Sequence, residues 1–509
     1  MTAITKQPQP LQGKRILVTA LDLEQREHRG IAVYSKALIR HLHRMGAEVW
    51  LLTQFRPVTS DLHSLPKETQ RIIYSARTLN ELAHGKKFRS LKLPEIFPKT
   101  SKFNVNDLLM QALTQALMQT QKLIRWIFGK TSFRLKELKS FRLSELNDNP
   151  NLRISRLDYL QDVEGIVSLD NVYEASQFAA YRKHRKPVTI DLEGFDVFIT
   201  CCPLNLQPRN TSMFVQTVHD LIALEYEPHN ENTRQFTHRL QACLPAQRIH
   251  VSSSTCRKFH NHINVDEVEG PLGGEDTVVQ PPSLYLPSLQ RNAGDQANDL
   301  TPSCYLLHDQ RRQRNSKPPA LQPFRYLLFN SSVEARKNLL FLVKAFAQSG
   351  LGREGIRLCV TGKLKKDAYS KAVREVVTHE PAILLSGYVD EATKLDLYLN
   401  ALALLSPSLV EGFGIPVLDA ACLGMPALVS SCDAHREIHD LFDFSDYVLP
   451  ISVLETRDWA AAMQATTTLH QHLADEPDTE RMKRLRRYCH MSRKIEDRFE
   501  EQIAQLLLG

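Results

Sequence analysis

The chain has 509 residues, of which 42% are hydrophobic and 24% charged, and a formal net charge of +7. This length exceeds one ordinary hydrophobic core and predicts two or three domains. No run of eighteen apolar residues occurs, so no bilayer-spanning helix is expected. The polar first residues lack the apolar centre of a secretory signal, which predicts a cytoplasmic protein.

The nine cysteines follow no framework spacing, and Cys201 and Cys202 form the one adjacent pair. An odd count without a Cys-x-x-Cys motif favours reduced, mostly buried thiols over disulfides or a structural zinc site. The sequence also lacks an Asp-x-Asp motif. It therefore predicts no metal site.

The N-terminal half is typical of a doubly wound α/β domain. A strand at residues 15–21, a helix at 30–45 and a strand at 48–53 open the pattern. The pattern is interrupted at residues 56–187, which we predict to be an insertion. Strands are predicted again at residues 195–200, 213–218 and 248–252. Together these elements predict an N-terminal domain at residues 14–280.

The predicted insertion holds most of the positive charge. Residues 86–142 contain thirteen lysines and arginines against three acids. Apolar residues at three- and four-residue steps predict a helix at residues 105–128. A basic amphipathic helix fits an anionic membrane surface, and it equally fits a core-facing helix with a solvated basic rim. Nucleic acid is not an expected partner, because interleaved aromatics and a known binding motif are missing.

A second, more regular α/β series begins after a linker. Residues 281–323 are rich in proline, serine, glutamine and asparagine, which predicts a connection between domains. Strands are then predicted at residues 325–329, 356–361, 383–386, 401–406 and 427–430. A C-terminal domain at residues 324–490 would face the first domain across a cleft, a usual place for a ligand.

The strongest chemical signal lies at residues 406–431. A strand ends there, a loop carries Glu411, Gly412, Phe413 and Gly414, and a helix follows with a proline in its first turn. Glycines allow close approach of the backbone, and a helix N-terminus favours an anion such as a diphosphate. Glu411 and Asp419 can accept hydrogen bonds from hydroxyl groups, or they can act only as helix-dipole partners.

This segment resembles the signature of the large family of retaining "group 1" glycosyltransferases, and is close to bacterial mannosyltransferase-like members. Their pattern is an acid, Gly-Phe-Gly, a proline, and a second acid eight positions after the first. The resemblance implies a GT-B architecture of two Rossmann-like domains. It places Glu411 near the donor-sugar hydroxyls and the amides after it near sugar and phosphates. Asp419 occupies the position where the family usually has a glutamate that binds the ribose, which implies the same role for Asp419.

Residues 326–346 resemble a second family segment, in which Arg-Lys-Asn leads into a helix. The resemblance implies that Lys337, helped by Arg336, neutralises the charge on the departing diphosphate. Ser331 stands where the family commonly has glycine. Without the resemblance, the same residues would form a solvated pair before an asparagine-capped helix.

Two matches are predicted in the N-terminal domain. His219 follows a strand as in the family's Thr-x-His-Asp stretch, which implies contact with the donor sugar; a lone histidine there can also be structural. Gly30 lies in a loop placed like the family's glycine-rich loop after the first strand, and it is the one glycine of that pattern still present. The resemblance implies that the backbone at Gly30 approaches the acceptor and the phosphate. Residues 491–509 resemble the terminal helix that returns to the N-terminal domain in this fold.

The resemblance implies transfer of a hexose from a nucleotide diphosphate-sugar to an acceptor hydroxyl, with retention and without metal or cofactor. Mannose on a guanosine carrier is favoured, with a lipid-linked or oligosaccharide acceptor in polysaccharide biosynthesis. The basic segment adds a prediction of peripheral docking on the inner face of the membrane. Two alternatives remain open: a non-catalytic GT-B-like protein that binds a membrane or partner, and a sugar-nucleotide epimerase on the same architecture.

Overall fold

The computed structural model describes residues 9–25, 28, 30–55, 62, 64–85, 132–134, 140–146, 155–180, 186–226, 231–263, 274–282, 305–306, 320–389 and 391–509. The basic helix predicted at residues 105–128 and most of the predicted linker lie outside these residues. Within the described part, no helix combines the length and apolar character needed to cross a membrane.

The strands are β1 Arg15–Thr19, β2 Glu48–Thr53, β3 Ser132–Arg134, β4 Ser140–Arg142, β5 Gly165–Ser168, β6 Val188–Asp191, β7 Val197–Thr200, β8 Leu206–Arg209, β9 Met213–Val218, β10 Gln247–His250, β11 Asp276–Val278, β12 Tyr305–Leu306, β13 Ala320–Leu321, β14 Tyr326–Phe329, β15 Arg357–Val360, β16 Ile383–Leu385, β17 Ala403–Ser406, β18 Ala427–Ser430 and β19 Val448–Ile451. The helices are α1 Gly30–Arg44, α2 Lys67–His84, α3 Val172–Ala179, α4 Ile222–Glu225, α5 Thr233–Gln241, α6 Ser253–His262, α7 Leu339–Ser349, α8 Ala368–Thr378, α9 Glu391–Asn400, α10 Ile415–Leu423, α11 Asp433–His439, α12 Thr456–His470 and α13 Pro477–Leu508.

The N-terminal sheet has eight strands in the order β11-β10-β9-β7-β1-β2-β5-β4. All neighbours pair in parallel except β4, which runs antiparallel to β5. Four of the five residues of β1 are buried, because helices cover both faces of a doubly wound sheet. The order reverses beside β1, and a ligand crevice usually opens at such a point.

The sheet corrects the predicted insertion at residues 56–187. Strand β5 pairs with β2 over Trp50–Gly165 to Thr53–Ser168, so the α/β pattern has already resumed by Gly165. The helix α3 that follows packs its buried residues into the same domain. The four-residue strand was missed because it follows a stretch with no strand periodicity and is too short to show alternation.

The C-terminal sheet has six parallel strands in the order β16-β15-β14-β17-β18-β19. Numbered within the domain, this is the 3-2-1-4-5-6 order of Rossmann folds. All five predicted strands of this domain are confirmed. The order reverses between β14 and β17, so the loops after these two strands emerge side by side at one edge of the sheet.

The helix α13 joins the two domains a second time. Its first half is anchored on the C-terminal domain by the buried Arg484, which donates to the carbonyl oxygens of Tyr398, Leu399 and Ala401 at 3.3, 3.3 and 2.7 Å. Its second half lies against α1, where Glu496 and Glu500 pair with Arg44 at 2.9 and 3.2 Å. The helix predicted at the C-terminus is therefore the end of a longer one that starts at Pro477.

Candidate active site at the domain interface

The centre of the candidate site is an ion pair between the two loops at the C-terminal switch point. Lys337 follows β14, Glu411 follows β17, and the Lys337 ammonium donates a hydrogen bond to Glu411 Oε1. Arg336 Nη1 lies 3.5 Å from Glu411 Oε2. The side chains of Lys337 and Glu411 are each 10% exposed, so water screens the pair weakly. The sequence predicted each residue alone; the fold brings the three together.

The two cations keep Glu411 ionised. Burial alone would raise its pKa, but the charges of Lys337 and Arg336 outweigh burial and lower the pKa to about 2. Arg336 also contacts Glu334 at 3.2 Å, and Lys365 reaches the other oxygen of Glu334 at 3.0 Å. Two carboxylates thus hold three cations at the edge of the sheet. This arrangement gives a fixed positive region beside buried hydrogen-bond acceptors.

The backbone around Asn338 determines how the Lys337 loop is held. Asn338 adopts a left-handed conformation with φ 56° and makes no side-chain cap bond to α7. The asparagine cap assumed in the alternative interpretation is therefore not observed. The loop is instead tied to its neighbour because the Leu409 amide donates to the Arg336 carbonyl at 2.8 Å. The two charged loops are therefore joined by a backbone hydrogen bond as well as by the ion pair.

A buried histidine that the sequence did not reveal supports the Glu411 loop. His435 on α11 donates from Nδ1 to the Ser430 carbonyl at 2.9 Å, and its Nε2 lies 3.3 Å from Ser406 Oγ. Burial lowers the pKa of His435, so the ring is neutral at pH 7. Gly414 has φ 108°, and an added Cβ would lie 3.3 Å from this ring. The ring therefore underlies the turn that starts α10.

His219 faces the same place from the N-terminal domain. It follows β9 and donates from Nε2 to the Cys201 carbonyl at 2.8 Å. The edge of the ring meets Tyr34, with centroids 4.8 Å apart. Burial lowers the pKa of His219 to about 4, so the ring is neutral at pH 7. Because Nε2 carries the proton, Nδ1 is the nitrogen that can accept a hydrogen bond.

The domains touch at Gly412. An ideal Cβ added there would lie 2.1 Å from the carbonyl oxygen of His219, so only glycine allows this approach. The Gly412 carbonyl accepts hydrogen bonds from Ser252 Oγ at 2.7 Å and Thr255 Oγ1 at 3.2 Å. The predicted sugar-binding loop is thereby held against the first turn of α6.

A carboxylate of the C-terminal domain completes this contact. Glu437 on α11 accepts hydrogen bonds from the amides of Ser253 and Ser254, at 2.7 and 3.1 Å. Free amides and the helix dipole at the first turn of α6 favour a negative charge there. Arg257 and Asp433 add an exposed pair at 3.6 Å, which contributes little. No sequence pattern points to Glu437, because its partners belong to the other domain.

The remaining predicted residues lie in different surroundings. Phe413 is buried, and Asp419 is 2% exposed in the second turn of α10, which starts at Ile415. Gly30 begins α1, is exposed, and has open space where a Cβ would be added. The predicted ligand roles of these residues, like those of the ion pair, remain predictions.

Comparisons with known proteins give partial matches to this chain. Residues 310–448 match the family model "Glycosyl transferases group 1". The O-antigen chain mannosyltransferase B of Escherichia coli is 30% identical over 127 residues, which are 24% of this chain and 33% of that protein. The match therefore spans about a third of that relative's length. Both matches cover only part of the chain, and the segment that the family model matches lies largely in the C-terminal domain.

The overall architecture is shared with a solved structure of low sequence identity. The N-terminal domain of Candida albicans trehalose-6-phosphate phosphatase superposes with a TM-score of 0.50 and 11% identity, over 98% of this chain and 97% of that one. The sucrose-phosphate synthase of Thermosynechococcus elongatus gives a TM-score of 0.48 and 12% identity, over 97% and 100% of the two chains. The fold is GT-B, with two Rossmann-like domains that face each other.

Proposed function

We propose that this chain transfers a hexose from a nucleotide diphosphate-sugar to an acceptor hydroxyl, with retention at the anomeric carbon. The carrying observation is the convergence of Lys337 and Arg336 on the ionised Glu411, whose neighbour Gly412 meets the His219 backbone across the domain boundary. Sugar–phosphate cleavage places negative charge on the leaving diphosphate, and fixed cations stabilise that charge in the transition state. The two cations beside Glu411 would supply this stabilisation.

In the proposed mechanism, each group has one task. Glu411 accepts hydrogen bonds from the donor-sugar hydroxyls, while Lys337 and Arg336 face the diphosphate. His219, neutral and with Nδ1 free to accept, contacts a sugar hydroxyl near the reacting carbon. Domain closure aligns acceptor and donor and excludes water. The cations do the work that a divalent ion would do in other transferases, so we propose that the transfer itself needs no metal.

The first test is turnover with a panel of sugar nucleotides carrying guanosine, uridine or adenosine diphosphate. A glycosyltransferase makes product only with an acceptor sugar or lipid-linked acceptor present, and NMR of the product shows the retained anomeric configuration. An epimerase would convert the donor alone. A protein that only binds partners would release no nucleotide diphosphate in either case, which would refute the proposal. Equal rates with and without added magnesium test the proposed metal independence.

Variants test the roles of the charged residues. Lys337→Ala should lower turnover about 10²–10³-fold, the usual cost of losing one preorganised stabilising group. Lys365→Ala is the matched control, because Lys365 contacts Glu334 but lies outside the Glu411 pair. If the two variants lose activity equally, the site needs only general positive charge, and the specific role of Lys337 is wrong.

Mannose, a guanosine carrier and a lipid-linked or oligosaccharide acceptor are proposed as the specific substrates. The support is the partial match to an O-antigen mannosyltransferase. Residues 86–142 are further proposed to dock on anionic membranes through their thirteen cations. Co-sedimentation with vesicles, with and without anionic lipid, tests the docking. Binding that ignores lipid charge or salt would contradict it.

A further inference from the structure

A second cluster of chemically active side chains lies where α6 packs on β10 and β11 of the N-terminal sheet. It consists of His250 at the end of β10, Asp276 at the start of β11, and Cys256 and His260 on α6. Ligand atoms of His250, Cys256 and Asp276 all lie within 4.8 Å of one another. His260 Nε2 lies 3.1 Å from Asp276 Oδ2, so the fourth side chain reaches the same carboxylate.

The spacing suits a metal ion. Cys256 and His260 are four residues apart and so share one face of α6. The parallel pairing of β10 and β11 places His250 and Asp276 beside that face. A tetrahedral ion with ligand bonds of about 2.0–2.3 Å holds its ligand atoms roughly 3.3–3.8 Å apart. Side-chain rotations that move these ligand atoms by about an ångström would bring the separations of up to 4.8 Å into that range.

The surroundings also resemble those of ligating residues. Metal-bound carboxylates are usually held by a further hydrogen bond, and Arg248 binds both oxygens of Asp276 at 2.7 and 2.8 Å. The two histidines contact different oxygens of the same carboxylate: His250 Nε2 lies 2.6 Å from Oδ1, and His260 Nε2 lies 3.1 Å from Oδ2. His250 is fully buried, and its Nδ1 has no hydrogen-bond partner among the described residues.

We propose that His250, Cys256, His260 and Asp276 form a structural site for Zn²⁺. A cysteine, two histidines and one carboxylate are a ligand set that zinc accepts, and four protein ligands leave no open position for catalysis. His260 is 44% exposed and provides the entry path. The ion would tie α6 to β10 and β11. Because the first turn of α6 holds Gly412 and Glu437, the site would stiffen the N-terminal side of the domain contact. It stands independently of the proposed transferase activity.

The test uses the full chain, freed of any affinity tag and treated with a chelator, and titrated with Co²⁺ as a spectroscopic probe. One equivalent should produce near-ultraviolet thiolate-to-cobalt absorption together with the intense visible bands of a tetrahedral site. Cys256→Ser should abolish the thiolate absorption, and His260→Ala should weaken binding at least tenfold. His262→Ala is the matched control, because this exposed histidine on α6 lies outside the cluster. It should bind Co²⁺ as the wild type does.

A second measurement guards against variants that misfold. Zn²⁺ should protect Cys256 of the unmodified chain from alkylation, as read by mass spectrometry, while Cys489, half-buried on α13, serves as the internal reference. Absence of thiolate absorption, absorption that survives in Cys256→Ser, or equal alkylation of Cys256 with and without Zn²⁺ would each overturn the proposal.

Discussion

Replacing Gly412 with alanine would test whether the domain contact belongs to the working state. The added Cβ would lie 2.1 Å from the His219 carbonyl oxygen and 2.9 Å from Asp220 Cβ. Ordinary contact begins at 3.4 Å, so the domains must separate by about 1.3 Å at this point. The φ of Gly412 is not in the left-handed region, so alanine strains no backbone within its own domain. The change therefore acts on the interface alone.

The cost follows from the contacts that the separation breaks. A shift of this size lengthens the hydrogen bonds from Ser252 and Thr255 to the Gly412 carbonyl beyond useful range. Overpacking costs about 1–3 kcal/mol, and each lost hydrogen bond about 1 kcal/mol. Taking about 2 kcal/mol against the closed state, a decade being about 1.4 kcal/mol, we expect kcat/KM to fall roughly 30-fold.

Three readouts separate this effect from a general loss of structure. Turnover should fall, while the affinity for the nucleotide diphosphate alone changes little, because the proposed nucleotide site lies within the C-terminal domain. Small-angle scattering should show a larger radius of gyration for Gly412→Ala than for wild type. Gly30→Ala is the control for domain separation, since a Cβ there meets nothing within 4 Å. Wild-type kcat/KM and scattering in Gly412→Ala would refute the reasoning.

Four further predictions concern the ionisable groups. Lys337→Ala leaves Glu411 with Arg336 alone, and urea unfolding should show a loss of about 3 kcal/mol, whereas an unchanged midpoint would mean that the pair is not buried in solution. The low pKa of Glu411, about 2, gives stability that is present above the unfolded pKa near 4.3 and lost as pH falls toward 2; Glu411→Gln should flatten that part of the curve of unfolding free energy against pH. His219, with a pKa of about 4 against about 6.5 when unfolded, gives stability that is complete above pH 6.5 and lost as pH falls to 4; His219→Gln should make the slope in this pH range shallower, and an unchanged slope would contradict the assigned burial of His219. Glu437→Ala should weaken the cap on α6 by about 1 kcal/mol and speed hydrogen exchange at the Ser253 and Ser254 amides, and unchanged exchange would mean that the contact is absent in solution.

Several strands were predictable because each is a short, buried run of strongly apolar residues. β14 and β17 are buried along nearly their whole length, and such runs stand out between amphipathic helices. β19 was missed because Pro450 interrupts it, which an edge strand tolerates but a sequence pattern reads as a break. β5 was missed because four residues show no periodicity, and this error made the predicted insertion too long.

The candidate site was predictable only where a local pattern carries it. Glu411 and Lys337 stand in segments whose glycines, proline and charges are contiguous in the chain. His435 and Glu437 are separated from their partners by long stretches of chain or by a domain boundary, and a single polar residue on a short helix has many possible explanations. Cys256 and His260 do show helical spacing, but their other partners, His250 and Asp276, lie on two different strands. Such contacts follow from topology, which the pattern of hydrophobic residues fixes only in outline.

The two halves of α13 make different polar contacts with the two domains, and dissolved salt affects these contacts unequally. The helix is about 48 Å long at 1.5 Å per residue, so it acts as a stiff lever between the domains. Arg484 is 1% exposed and clamped by three carbonyls, whereas Arg44, 26% exposed, meets its glutamates within reach of dissolved ions. Salt weakens the second fastening far more than the first. Raising the ionic strength should therefore weaken the Arg44 pairs and leave the Arg484 contacts unchanged, while the buried Phe499 and Ile503 keep the second half of α13 packed.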